Sequence, residues 1–70
     1  MNKQEKKHLA DSILFLHHSL IANIASMICD TLGDEILKNK YHKVSNKFYK
    51  KTQDTLDKFI NQKEIDTNEG

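Results

Sequence analysis

The residues of this sequence that could do chemistry are lysines concentrated in its second half. Residues 34–51 hold six lysines and two carboxylates, a net charge of +4. On a helix with 100° per residue, five lysines fall within about a third of the circumference. This lysine stripe consists of Lys40, Lys43, Lys47, Lys50 and Lys51. A stripe of this kind binds a phosphate backbone or an acidic protein surface, or it keeps a helix soluble.

The type of basic residue bears on whether the lysine stripe could read a nucleic-acid sequence. All eleven basic residues are lysine, and arginine is absent. Arginine is the side chain that makes bidentate contacts with guanine and phosphate, so its absence disfavours sequence-specific reading of nucleic acid. A chain rich in Lys, Asn and Ile and free of Arg is also typical of an AT-rich coding sequence, which favours a phage, plasmid or low-GC bacterial source.

Histidine and cysteine do not form a predicted site. His17 and His18 are adjacent, and neighbouring helical residues point about 100° apart, so the two rings cannot hold one metal ion. Cys29 is the only cysteine, so the chain cannot form an intrachain disulfide. We expect Cys29 to be a small buried residue, and the lack of a disulfide fits a reducing compartment. The sequence therefore predicts no metal and no cofactor, with a cytoplasmic location.

Catalytic machinery is not predicted either. The sequence has no glycine-rich phosphate loop and no Ser-His-acid spacing. A chain of 70 residues is near the lower limit for folding alone and leaves little room for a concave pocket. We therefore predict a protein that is not an enzyme and has no catalytic residues.

The clearest sign of secondary structure is the segment of residues 12–29, which contains no Asp, Glu, Lys or Arg and which we interpret as part of a helix. Apolar residues spaced three and four positions apart form two rows, which together cover about half of the circumference of this predicted helix. The first row is Leu9, Ile13, Leu16, Leu20, Ile24 and Met27, and the second is Ala10, Leu14, Ile21, Ala25, Ile28 and Leu32. The segment just reaches the length of a membrane span, but polar residues in its middle argue against a membrane partner.

Capping signals divide the chain into two helices within a single domain, residues 1–62. Asn2 and Glu5 have the spacing of a capping box, Gly33 is a left-handed stop, and Asp34 can cap a second helix. The sequence predicts helix 1 over about 3–32, a turn at 33, helix 2 over about 35–62, and a frayed or disordered tail over 63–70. A break at Ser45-Asn46 would give three short helices instead.

A short connection makes the two helices an antiparallel hairpin, so the fold class is all-α. One hairpin covers only one apolar row, and we expect a homodimer that completes a four-helix bundle. Leu16, Leu20 and Ile24 are expected to be fully buried in the core, in the middle of helix 1. The residues expected at an oligomer or partner interface are Leu14, Phe15, Ile21, Ala25, Ile28 and Tyr49.

The opening residues 1–6, Met-Asn-Lys-Gln-Glu-Lys, resemble the start of the Rop family of plasmid copy-number regulators. The resemblance implies a dimeric helical hairpin that binds paired RNA loops. The chain departs from that family at the Leu32-Gly33 stop, where the family has an acidic turn. It departs again in helix 1, which is charge-free where the family presents a polar, partly basic RNA-facing surface.

The function expected from these features is that of a small non-enzymatic regulator or inhibitor. It would act by protein–protein interaction, as a homodimer or on a larger protein. One alternative is a nucleic-acid-binding dimer that uses the lysine stripe, and another is a structural helical subunit of a larger complex. The charge-free helix favours the first and third possibilities, and the lysine stripe favours the second.

Overall fold

The protein is an all-α hairpin of two long helices, described here from a computed structural model. The backbone is described for residues 1–69 and the side chains for residues 1–61. Helix α1 spans Lys3–Thr31 and helix α2 spans Glu35–Glu69. They form an antiparallel rod of 55 × 13 × 12 Å. The predicted hairpin is confirmed, and the three-helix alternative is wrong because α2 runs unbroken through Ser45 and Asn46.

Helix α1 begins with the predicted capping box. The Glu5 N–H donates to Asn2 Oδ1 at 2.8 Å, and the Asn2 N–H donates to Glu5 Oε1 at 3.3 Å. Each side chain thus satisfies a backbone donor that the first helical turn leaves without an intrahelical acceptor.

The turn between the helices is a Schellman motif that depends on glycine. The Asp34 N–H donates to the Cys29 carbonyl at 2.9 Å, and the Gly33 N–H donates to the Asp30 carbonyl at 3.1 Å. This closure requires a left-handed residue, and Gly33 has φ +78°. Asp34 then caps α2 by accepting the Leu37 N–H at 3.0 Å.

Helix α2 is longer than the sequence indicates. Its backbone is helical to Glu69, whereas the sequence predicts an end near Gln62. Side chains from residue 62 onward lie outside the described part of the chain, so the predicted fraying of residues 63–70 stays a prediction.

The helices pack through a seam of small and polar residues. Its α1 members are separated by three and four residues, and its α2 members follow the same rule, which is the spacing of a coiled-coil contact line. On α1 the seam consists of Ser12, Phe15, Ser19, Ala22 and Ser26; on α2 it consists of Ser45, Phe48, Thr52 and Thr55. All four serines of the chain are buried in it.

The expectation that leucines fill the hairpin core is wrong. Leu16, Leu20 and Ile24 are 40%, 53% and 56% exposed. Ala22, 6% exposed, is the one apolar residue that is buried among the described side chains. The reason is that serine and alanine let the two backbones approach closely, and buried hydroxyls can bond across the contact. The wide apolar side of α1 is therefore turned away from α2.

Candidate interaction surfaces

The centre of the seam is a reciprocal pair of hydrogen bonds. Ser19 Oγ donates to the Ser45 carbonyl at 2.9 Å, and Ser45 Oγ donates to the Ser19 carbonyl at 3.0 Å. The two hydroxyl oxygens are 3.3 Å apart. Both residues are buried, so neither hydroxyl depends on solvent for its partner. This pair fixes the distance and register of the helices.

The remaining seam hydroxyls are also satisfied. Ser26 Oγ bonds across the contact to the Lys38 carbonyl at 3.0 Å. The hydroxyls of Ser12, Thr52 and Thr55 instead donate to carbonyls three or four residues earlier on their own helices. Among the described side chains, no buried polar atom lacks a hydrogen-bond partner. The seam is therefore complete within one chain.

The opposite side of α1 is an exposed apolar surface. Its eight large side chains are between 40% and 64% exposed. This α1 apolar face consists of Ile13, Leu14, Leu16, Leu20, Ile21, Ile24, Met27 and Ile28. Eight side chains of this size at about half exposure present on the order of 800 Å² of apolar area, above the ~300–600 Å² of the largest patch on a typical monomer. The single hairpin therefore leaves an unusually large apolar surface uncovered.

The predicted interface residues lie in three places. Leu14, Ile21 and Ile28 lie on the α1 apolar face, about half exposed, and Ala25 borders it, half-buried. Tyr49 is 52% exposed on α2. Phe15 departs from its expectation, because the structure places it in the seam, where it meets α2 of its own chain.

Phe15 belongs to an aromatic cluster with a lysine over it. Its ring stacks on Phe48 with centroids 6.3 Å apart, and the His18 ring lies 5.2 Å from Phe48. Lys51 Nζ lies 5.7 Å from the Phe15 centroid and 5.5 Å from that of Phe48. A cation at this distance from a ring face is attracted by its quadrupole. Lys51 thus takes part in an intrachain contact as well as lying in the lysine stripe.

The other members of the lysine stripe project from α2 into solvent. Lys40, Lys43, Lys47 and Lys50 are all exposed. On the helical wheel they lie on the side of α2 that faces away from the seam, and Lys58 continues the same line. The rod therefore has two unlike outer surfaces, apolar along α1 and basic along α2.

Charges near the turn are paired. Lys38 Nζ lies 3.1 Å from Asp30 Oδ1 and 3.7 Å from Glu35 Oε1. The hydrogen bond and charge of Asp30, followed by the charge of Glu35, raise the pKa of Lys38 above its ordinary value. This small network connects the end of α1 to the start of α2.

A shallow groove of 290 Å³ runs beside the Ser19–Ser45 pair. Its rim carries Leu16, Asn23, His42, Asn46 and Tyr49. The described residues include no group of three or more metal-binding side chains. The groove does not gather an acid, a base and a nucleophile, so no reaction can be assigned to it.

Helix α1 is also long and apolar enough to cross a membrane by length and composition alone. Its apolar window is 22% buried within the hairpin. Core helices of soluble proteins and N-terminal signal sequences meet the same criterion.

Comparison with known proteins gives no relative: no family model, no curated protein and no solved structure matches the chain.

The seam was the feature that apolar periodicity missed, and another signal in the sequence could have found it. Ser12, Ser19 and Ser26 recur every seven residues, as do Ser45 and Thr52 on α2. Seven-residue spacing keeps residues on one line of a coiled coil. A search for small residues at heptad spacing would have identified the face on which the helices meet.

Proposed function

We propose that this protein is a small non-enzymatic regulator or inhibitor that acts by protein–protein interaction through the α1 apolar face. The surface is covered in the working state by a second copy of the chain, by a larger protein, or by both in turn. Such a chain would act in the cytoplasm, and its size and composition fit a phage or plasmid origin.

The observation that carries this proposal is the difference between the seam, which is polar and buried, and the α1 apolar face, which is exposed. The hairpin satisfies its own polar groups along the seam and leaves its largest apolar side chains outside. An isolated soluble monomer gains nothing from that arrangement, because the burial of apolar area is the main favourable term in folding and association. Helix α1 therefore supports an intermolecular contact.

A test compares two variants that each carry two substitutions. Ile21→Glu/Ile24→Glu places charge in the middle of the α1 apolar face, and Lys47→Gln/Lys50→Gln alters the lysine stripe by the same number of residues. We expect the first variant to lose self-association and the capture of partners from a cell lysate, and the second to retain both. Circular dichroism checks that both variants remain helical.

The proposal fails if the glutamate variant associates and captures partners as the wild type does. It also fails if neither protein associates with anything while both fold cooperatively, since an uncovered face would then be the stable state.

A second candidate, a nucleic-acid-binding dimer, is favoured by the lysine stripe. All five of its lysines are exposed on one side of α2, and Lys51 also contacts the Phe15 and Phe48 rings. Lysines that neutralise phosphates release counterions, so binding falls steeply with salt and is nearly independent of sequence.

A gel-shift series with random DNA and RNA at two salt concentrations tests this candidate. Lys40→Gln/Lys43→Gln/Lys47→Gln/Lys50→Gln removes four of the five exposed charges and spares Lys51, whose contact with Phe15 and Phe48 supports the fold. Sub-micromolar, salt-sensitive binding that this variant loses would favour nucleic acid over protein. Binding that is absent, or unchanged in the variant, would exclude the stripe as a phosphate site.

A further inference from the structure

We infer that the α1 apolar face binds the same face of a second copy of the chain, with the two α1 helices antiparallel and Leu20 and Ile21 at the two-fold axis. This inference rests on the proposed function and names the partner and geometry of its surface.

The size of the face fits a dimer. Its roughly 800 Å² of apolar area is close to the ~800 Å² that each partner contributes to an interface of standard size. The face spans residues 13–28 without a single charged side chain. Two copies can therefore meet on it without bringing like charges together, which a self-complementary two-fold contact requires.

The charges beyond the two ends of the face select the antiparallel orientation. Before the face, α1 carries exposed Lys6 and Lys7; after it, the turn carries exposed Asp34 and Glu35. In a parallel pair, lysines would meet lysines and carboxylates would meet carboxylates, which is unfavourable. In an antiparallel pair, the lysines of each copy lie beside the carboxylates of the other.

The centre of the apolar face sets the register, and the charges at its ends are compatible with it. Centring the face places Ile13 of one copy opposite Ile28 of the other, so that paired residue numbers add to 41. In this register Lys6 and Lys7 of one copy lie near the turn of the other copy, where Asp34 and Glu35 follow the end of α1 at Thr31. Opposed charges at both ends stabilise this alignment and disfavour shifted ones.

A lipid surface is the other apolar environment that such a face could enter. The lysine stripe argues against it, because the stripe lies along the far side of α2 and would be held away from anionic headgroups while α1 contacts the acyl chains. Binding to vesicles is therefore an outcome that the test must distinguish.

Disulfide trapping tests the orientation in the full chain. In a Cys29→Ser background, Ile13→Cys and Ile28→Cys are prepared separately, mixed, and oxidised. The antiparallel register predicts disulfides between position 13 and position 28, identified by peptide mapping. Two copies of position 13 would lie about 22 Å apart along the axis, too far for a disulfide.

Charge exchange tests whether the start of α1 in one copy lies near the turn of the other. Lys6→Glu and Glu35→Lys are each expected to raise the dimer dissociation constant by about tenfold, because each variant places like charges together at both ends. The double variant should recover most of the wild-type affinity. Lys50→Glu, on the far side of α2, is the matched control and should leave the dissociation constant unchanged.

Disulfides that join 13 to 13 and 28 to 28 would overturn the inference in favour of a parallel pair. A wild-type chain that stays monomeric would overturn it as well, whether it remains free in solution or floats with vesicles of anionic and zwitterionic lipid. These failures differ from failure of the proposed function, which survives if Ile21→Glu/Ile24→Glu still abolishes capture of another protein.

Discussion

Ser19 and Ser45 decide at the residue level which faces of the two helices meet. A leucine at either position would hold the backbones apart, whereas the two serines allow each hydroxyl to reach the carbonyl of the other helix. A single hydrogen bond of this kind contributes about 1 kcal/mol net. Its larger effect is specificity, because other faces of α1 lack a buried donor that could replace it.

The close approach makes a prediction about Ser45. We expect Ser45→Leu to lower the free energy of unfolding by about 1–3 kcal/mol, the usual cost of overpacking, plus about 1 kcal/mol for the lost hydrogen bonds. The neighbouring Asn46 is exposed, so Asn46→Leu adds the same side chain without forcing the helices apart and should have little effect. Urea unfolding of both variants measures the difference. Equal stability of the two variants would show that the helices do not meet at Ser45.

Lys38 gives a prediction about alkaline pH. Its pKa is raised in the folded protein by Asp30 and then by Glu35, so folding favours the protonated amine. The stabilisation is complete below the ordinary value of 10.5 and is lost as the pH rises through the folded value. The difference in unfolding free energy between wild type and Lys38→Met should therefore be constant from neutral pH to about pH 10 and shrink above it.

Urea unfolding of the two proteins across this range measures that difference at each pH. Subtraction removes the titration of the other lysines and of the tyrosines, which both proteins share. A difference that stays constant to about pH 11.5 would show that Lys38 does not gain protonation on folding.

At the level of the elements, the turn is the part that depends most on one residue. Gly33 adopts φ +78°, and a Cβ built there would meet nothing within 4 Å. The cost of Gly33→Ala is therefore that of the backbone conformation alone, about 1–2 kcal/mol. Gly33→Asn should cost less, because asparagine tolerates the left-handed region better than alanine. In thermal unfolding, we expect the midpoint to fall in the order Gly, Asn, Ala at position 33. An alanine variant as stable as the wild type would contradict this order.

The helices and the turn could be predicted from the sequence because their signals are local. Asn2 and Glu5 cap one helix, and Gly33 with Asp34 ends it and begins the next, so the residues involved are near neighbours in the chain. The sequence predicts that α2 ends near Gln62 because chain ends commonly fray, whereas the helical backbone continues to Glu69.

The packing could not be predicted from apolar spacing, because the helices meet along small and polar residues and not along the apolar rows. The rows that contain Leu16 and Leu20 are the stronger amphipathic signal, yet the helices meet on Ser12, Ser19 and Ser26. Hydrogen bonding across a close contact competes with the burial of leucine, and apolar periodicity gives serine no weight. Apolar periodicity also leaves Phe15 outside the hairpin core, because Phe15 lies on the serine side of the helix.

At the level of the whole molecule, the hairpin is a rod whose two long sides differ. The α1 apolar face suits a protein surface, and the lysine stripe suits solvent or an acidic partner. The polar seam between them holds the helices together and leaves the apolar side chains of α1 available. In the proposed dimer these apolar faces become the central layer, and the lysine stripes lie outermost.

The central claim is that the α1 apolar face is an interface between two copies of the chain, and sedimentation equilibrium combined with circular dichroism tests it most directly. At micromolar concentration we predict a wild-type mass of twice the 8.1 kDa chain and an unfolding midpoint that rises with protein concentration. The Ile21→Glu/Ile24→Glu variant should sediment as a single chain. A wild-type protein that is a monodisperse, cooperatively folded monomer, with a midpoint independent of concentration, would contradict the claim.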